Sequence, residues 1–274
     1  MSITADQERE FYDRMYSRFI DLPDSALICN RQTIEADLAN PIQPIYERRR
    51  LFQTTLRVLL QEPVRDCVVL DYGCGTGDWG LMLAGEGARV TFLDLSPVAV
   101  DLALRRAAAS GVSARVGGMA RDASDLSCFA ASEFDLIYGS AALHHTLKYP
   151  HALEELLRVL KPGGRLVLAE TYGNNALLNL ARRLRWRLSG EPAEAGEEIL
   201  LGRKEIEALA ARVQHIETIP LHLFAMAKRL FRGKFTNPTV RATVASLEAL
   251  DTVLLRALPF LRRYCGEVVI VARK

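Results

Sequence analysis

Residues 68–80 read Val-Val-Leu-Asp-Tyr-Gly-Cys-Gly-Thr-Gly-Asp-Trp-Gly. An apolar, β-branched run closes on Asp71, and glycines follow at Gly73, Gly75 and Gly77 before the helix-forming stretch Leu81 to Ala84. A buried strand that passes through a glycine turn into a helix is how α/β proteins receive the nucleoside end of a cofactor. Glycine takes positive φ and, without a Cβ, lets backbone lie against the ligand. The turn also satisfies the dinucleotide spacing G-x-G-x-x-G at Gly75, Gly77 and Gly80, a weak signal by itself. Two carboxylates, Asp71 at the strand end and Asp78 at the helix start, suit a cationic or amine-bearing group better than a pyrophosphate. That choice favours S-adenosylmethionine over NAD.

Working outward, short β-like runs alternate with helical stretches from Cys67 on, the pattern of a parallel sheet covered by helices. Strands are expected at Cys67 to Asp71, Arg89 to Leu93, Ser113 to Gly118 (the weakest), Phe134 to Tyr138 and Arg165 to Ala169. Two more are expected at Val213 to Ile219 and Glu267 to Ala272. Ser96-Pro97 caps a helix through about Ala109, and a short helix is expected around Asp125 to Ala131. His151 to Leu160 is amphipathic and stopped by Pro162-Gly163-Gly164. Further helices span Asn175 to Leu188 and Arg203 to Arg212, on either side of the acidic loop Glu191 to Glu198. Residues 1–60 read as a helical arm or lid broken at Pro41 and Pro44, and 61–274 as the cofactor-binding domain with a helical insertion at about 220–264.

The chain has 274 residues, 49% of them hydrophobic, enough to bury a full core. A net charge of +2 gives no basic footprint for a nucleic-acid binder. Five scattered cysteines without a CxxC pair fit reduced thiols rather than a disulfide framework or a zinc site. The acidic, polar start is unlike a signal peptide, and no apolar run approaches the ~20 residues of a membrane span. These features point to a cytoplasmic protein acting on a small molecule, as a monomer or homodimer, without a metal.

Asp94 ends the second strand, where a carboxylate can accept both hydroxyls of a ribose; Ser96-Pro97 supplies the helix cap and leaves Asp94, with Leu95, to a ligand. Asp122, beside Ala123, either accepts an adenine amine or starts a helix. These residues, with the run 134–145 and Glu-Leu-Leu-Arg-Val-Leu-Lys-Pro-Gly-Gly-Arg-Leu at 155–166, carry a resemblance to class I S-adenosylmethionine-dependent methyltransferases of the small-molecule type 11 kind. The resemblance spans roughly Phe52 to Glu170. It implies a Rossmann-like sheet of seven strands with the last antiparallel. It also implies that Asp71, Gly73, Gly75 and Gly77 hold the methionine part of the cofactor, Asp94 the ribose, and Asp122 with Ala123 the adenine.

Gly139 and Ser140 are expected on the methyl-donor side, at the carboxyl end of the fourth strand. His144 and His145 are candidate bases or structural hydrogen-bonders; being adjacent, only one is expected to face the pocket. Glu170 is a candidate base, substrate anchor or helix-start carboxylate. Methyl transfer itself needs chiefly in-line positioning, and oxygen or nitrogen is expected as acceptor ahead of carbon. On the arm, Phe11, Tyr12, Tyr16 and Phe19 share a helical face, and Tyr12 and Tyr16 are candidate lid residues. The insertion interleaves Leu221, Leu223, Phe224, Met226, Leu230 and Phe231 with Lys228, Arg229, Arg232 and Lys234, the pattern of a lid, a dimer face or a peripheral membrane contact. The arginine-rich stretch Leu180 to Arg187 around Trp186 is either a solvated face or an anion holder. A dinucleotide-dependent oxidoreductase and a non-catalytic cofactor-binding subunit are the competing readings.

Overall fold

Runs apolar on both sides of the pleat can only sit at the middle of a covered sheet, and that is where Val69, Leu70 and Tyr72 lie, fully buried. The computed structural model describes residues 5–149, 151–189 and 200–274. The acidic loop at 191–198 falls outside them, as do the side chains at 183 and 185–187 of the arginine-rich stretch.

The chain begins with helices α1 (Ala5–Ser17), α2 (Asp24–Leu27) and α3 (Arg31–Ala39), a 3-10 turn at Pro44–Arg48, and α4 (Arg49–Leu59). Then follow β1 (Val68–Tyr72), α5 (Asp78–Gly85), β2 (Arg89–Asp94), α6 (Pro97–Ala109), β3 (Val116–Ala120) and β4 (Phe134–Ser140). The short α7 (Leu143–Thr146), α8 (Ala152–Val159), β5 (Leu160–Thr171), α9 (Ala176–Ser189), α10 (Arg203–Ala210) and β6 (His215–Leu221) come next. A 3-10 stretch (Phe224–Phe231), α11 (Pro238–Ala257), a second 3-10 stretch (Pro259–Tyr264) and β7 (Glu267–Arg273) complete it. The sheet order is β3-β2-β1-β4-β5-β7-β6, with β7 antiparallel to both neighbours, the seven-stranded Rossmann-like arrangement expected.

Local chemistry explains the boundaries. Ser96 accepts from the Ala99 N–H at 3.1 Å and Pro97 opens α6, so the helix starts where the capping signal stands. β3 is an edge strand weakened by Gly117 and Gly118 and is largely exposed. The helix expected at 125–131 is absent: Asp122 and Asp125 accept the Ser124 and Ser127 N–H groups at 2.8 and 3.0 Å, local turns that compete with helix formation.

The arm expected over 1–60 divides in two. α1 has no buried residue, whereas Ile34, Leu38, Leu51 and Phe52 join Val69, Trp79, Leu81 and Tyr138 in the apolar layer on one face of the sheet. A second layer of Leu70, Tyr72, Phe134, Leu156 and Leu168 covers the other face. In the insertion the amphipathic reading fails at Lys228, which is fully buried, while Phe224 and Leu230 are exposed. Lys228 turns inward because Glu267 waits for it at 3.0 Å. None of the described helices is long and apolar enough to cross a membrane.

Candidate active site

The carboxyl ends of β1, β2 and β4 lie side by side, and above them α1 roofs a cavity of about 310 Å³. Gly73 forms part of its floor at φ +69°; a Cβ there would stand 2.6 Å from the Ala142 Cβ, so only glycine permits this approach. The Gly73 and Cys74 N–H groups both donate to the Leu93 carbonyl at 2.9 Å, fixing the turn to the end of β2.

Asp94 lines the cavity, but it is not left wholly to a ligand as the sequence suggests. Its carboxylate accepts the Gly75 N–H at 2.8 Å and the Ser96 N–H at 3.0 Å. A carboxylate has about four acceptor positions, so room remains for ribose hydroxyls. Burial pushes its pKa up, against the pull of those N–H groups. Leu95, Asp122 and Ala123 continue the wall. The Tyr72 hydroxyl lies 2.9 Å from the Ala123 carbonyl and 2.8 Å from the Thr146 hydroxyl, tying this wall to α7 opposite.

Ser140, Ala141 and Ala142 form the far end. Ala141 holds φ +53°, a left-handed conformation that costs a residue with a Cβ about 1–2 kcal/mol and tends to persist at functional sites. Beyond it both histidines line the cavity, contrary to the expectation that only one would. Each is drawn in by a different carboxylate. His144 Nδ1 lies 2.7 Å from Glu170 Oε2, and Glu170 Oε1 accepts the Ala142 and Leu143 N–H groups at 3.1 and 2.9 Å. His145 Nδ1 lies 3.2 Å from Glu8 on α1, and its Nε2 lies 3.3 Å from the Tyr12 hydroxyl.

Glu170 is therefore fully buried behind His144, where it meets no substrate directly. Asp71 is also outside the lining: it sits under α5 and accepts the Gly80 N–H at 3.0 Å, and burial pushes its pKa up to about 7. Gly75 lies beneath Tyr16, whose hydroxyl would be 2.9 Å from a Cβ there, and Gly77 packs on Ala103 and Phe92. Gly139 packs against Tyr72 and Leu168. Asp78 is neutralised by Arg106 at 2.7 Å; burial opposes its ionisation, but the guanidinium wins and its pKa is lowered.

The roof carries Glu8, Tyr12, Met15 and Tyr16, one face of α1. Lys148 pairs with Glu8 at 3.3 Å, and Asp13 bonds the Ser96 hydroxyl, docking α1 to both walls. The bond to His145, against burial, holds the Glu8 carboxyl below the usual range. Among the described residues no cluster of His, Cys, Asp and Glu could hold a metal.

Residues 69–164 match the model of a methyltransferase domain family. The chain is 39% identical over 108 residues to a demethylmenaquinone methyltransferase of Clavibacter sepedonicus, covering 39% of this chain and 42% of that protein. The central segment of the chain is similar to methyltransferase domains. A ubiquinone/menaquinone biosynthesis C-methyltransferase of Geotalea daltonii is 33% identical over 105 residues, 37% of this chain and 44% of that one. The chain thus spans less than half the length of these curated relatives. A crystal structure of the [4+2]-cyclase SpnF superimposes with a TM-score of 0.58, covering 100% of this chain and 97% of that one at 21% identity, a likeness of fold.

Of the residues lining the cavity, Glu8, Met15, Ala141, Ala142, Thr146 and Tyr149 were not singled out as site residues in the sequence. Glu8 could have been: it stands four residues before Tyr12 on the same helical face. The strain at Ala141 leaves no mark in residue type.

Proposed function

We propose that the protein transfers a methyl group from S-adenosylmethionine to a hydroxyl-bearing small molecule. The observation that carries this is the acid-lined cavity: Glu8, Asp94 and Asp122 surround the space above Gly73. Carboxylates accept from ribose hydroxyls and amines, and they repel the pyrophosphate that a nicotinamide dinucleotide would place there. The cofactor fits the residues present, with Asp94 at the ribose, Asp122 and Ala123 at the adenine, and Gly73 and Ser140 towards the methionine end. When bound, it supplies an electrophilic methyl on a sulfonium sulfur.

The protein's part is positioning and proton removal. α1 closes over the cavity and keeps water out, which favours a displacement between held partners. Glu170 holds the proton of His144 on Nδ1, so Nε2 is the ring atom that accepts one. His144 is the base in this reading and Glu170 its positioning residue. Such a base serves an acceptor whose hydroxyl must lose a proton, so that either its oxygen or an adjacent ring carbon becomes nucleophilic. The name of the Geotalea relative is one of a carbon methylation, and this favours carbon more than the sequence expectation of oxygen or nitrogen did.

Incubation with methyl-labelled S-adenosylmethionine and a panel of phenols, enols and hydroquinones tests the proposal. Label is expected in a hydroxylated acceptor, with a rate that rises with pH in the wild type and loses that rise in His144→Ala. Label in amines alone, or no label with any acceptor, would refute it.

A further inference from the structure

β1 ends at Tyr72, whose side chain points to the opposite face of the sheet from Asp71 and is fully buried beside Leu70, Phe134 and Leu168. A phenylalanine ring would fill the same space. The phenol hydroxyl is therefore buried at a cost that its partners must offset.

Those partners stand on two different walls of the cavity. The hydroxyl is 2.9 Å from the Ala123 carbonyl and 2.8 Å from the Thr146 hydroxyl, and both residues line the cavity. Thr146 in turn donates to the Leu143 carbonyl at 3.0 Å. Burial pushes the phenol's pKa up, so it keeps its proton. A phenol can donate to one partner while accepting from another, so a single oxygen fastens both walls.

Neither wall is well supported without it. α7 has four residues, and a helix of one turn does not persist on its own backbone bonds. Outside groups fix both of its ends. Glu170 takes the Ala142 and Leu143 N–H groups at its start, and the run from Tyr72 through Thr146 to Leu143 holds its close. His144 and His145 stand between these anchors. On the other wall, Ala123 follows Asp122 in a local turn that belongs to neither a strand nor a helix. Tyr72 joins these two segments to the end of a core strand.

We propose that Tyr72 is a positioning residue that couples occupancy of the adenine end of the cavity to the placement of His144 and His145. Naming that end rests on the methyl-transfer reading; the link between Ala123 and α7 does not. A ligand that orders the Ala123 turn fixes the Ala123 carbonyl and, with it, the phenol. The phenol then fixes Thr146 and the close of α7. The histidines are ordered for an acceptor only after the nucleoside end is filled.

Hydrogen exchange read by mass spectrometry tests this coupling, with β5 and β7 as the internal reference. In the wild type, S-adenosylhomocysteine is expected to slow exchange over residues 143–147 about tenfold. In Tyr72→Phe, exchange over α7 in the free protein should rise about fivefold, the equivalent of one lost hydrogen bond. S-adenosylhomocysteine should then slow it by less than about twofold, with β5 and β7 unchanged. Thr146→Val cuts the link without touching β1 and should behave alike, which keeps the test open should Tyr72→Phe fold poorly. Thr146→Ser retains the hydroxyl and should retain the wild-type protection. Equal α7 protection in the wild type and either folded variant that lacks a hydroxyl would overturn the proposal. So would a rise in exchange spread evenly over α7, β5 and β7, the mark of a merely structural role. If the wild type shows no S-adenosylhomocysteine binding by calorimetry, the methyl-donor reading falls. The free-protein comparison then still decides the link, which an unchanged α7 in both variants would refute.

Discussion

The floor and the roof of the cavity are built on different physics. The floor is backbone fastened to buried groups: Gly73 and Cys74 to the Leu93 carbonyl, Gly75 to Asp94, Gly80 to Asp71. The roof is a helix without a single buried residue, held by side chains alone at His145, Lys148 and Ser96. Opening the floor would expose sheet core, whereas lifting α1 breaks a few partly solvated contacts. We therefore propose that ligand enters at the roof, since segments with little buried apolar surface open at low free energy. In this proposal the floor supplies affinity and geometry, and the roof supplies access and closure.

The sharpest attack on this contrast is at the floor. Asp94→Ala removes the carboxylate that accepts the Gly75 and Ser96 N–H groups and the ribose contacts proposed for it, each such bond worth roughly 1.5–3 kcal/mol, so S-adenosylhomocysteine affinity is expected to fall about a hundredfold by calorimetry. Gly73→Ala forces a Cβ against Ala142 at positive φ and should lower stability by about 1–3 kcal/mol in denaturant unfolding. Roof substitutions should do less. Glu8→Gln loses partly exposed pairs with His145 and Lys148, and is expected to weaken ligand binding only about threefold while speeding proteolysis within α1. A floor-sized loss from Glu8→Gln would break the distinction.

The smallest effect expected at neutral pH concerns Asp71. Burial pushes its pKa up to about 7, so the folded protein keeps a proton that the unfolded chain releases near its ordinary value. Stability from this group is therefore greatest at acid pH, declines as pH rises towards about 7, and levels off above. Asp71→Asn should remove that decline, so that the variant's curve of unfolding free energy against pH is flatter and the wild-type-minus-variant difference falls as pH rises towards about 7.

What the sequence revealed follows the same division. Gly73, Asp94 and Asp122 were legible as cavity-lining positions because each follows or ends a strand whose pattern is local in the chain. Asp71 misled because a carboxylate in that motif looks available, although its side chain points beneath α5 to Gly80. The orienting of His144 by Glu170 was half visible: both residues were singled out, but their contact crosses 26 positions. The burial of Lys228 against Glu267 was hidden, since the two are 39 residues apart and Lys228 read as part of a lid, a dimer face or a peripheral membrane contact. Patterns along a chain report periodicity and local turns; they do not report which distant charges meet.

The most direct test is a calorimetric titration of the purified chain with S-adenosylhomocysteine and, separately, with NAD. The account predicts saturable binding of one S-adenosylhomocysteine per chain and no heat from NAD. Binding of NAD with none of S-adenosylhomocysteine would contradict it.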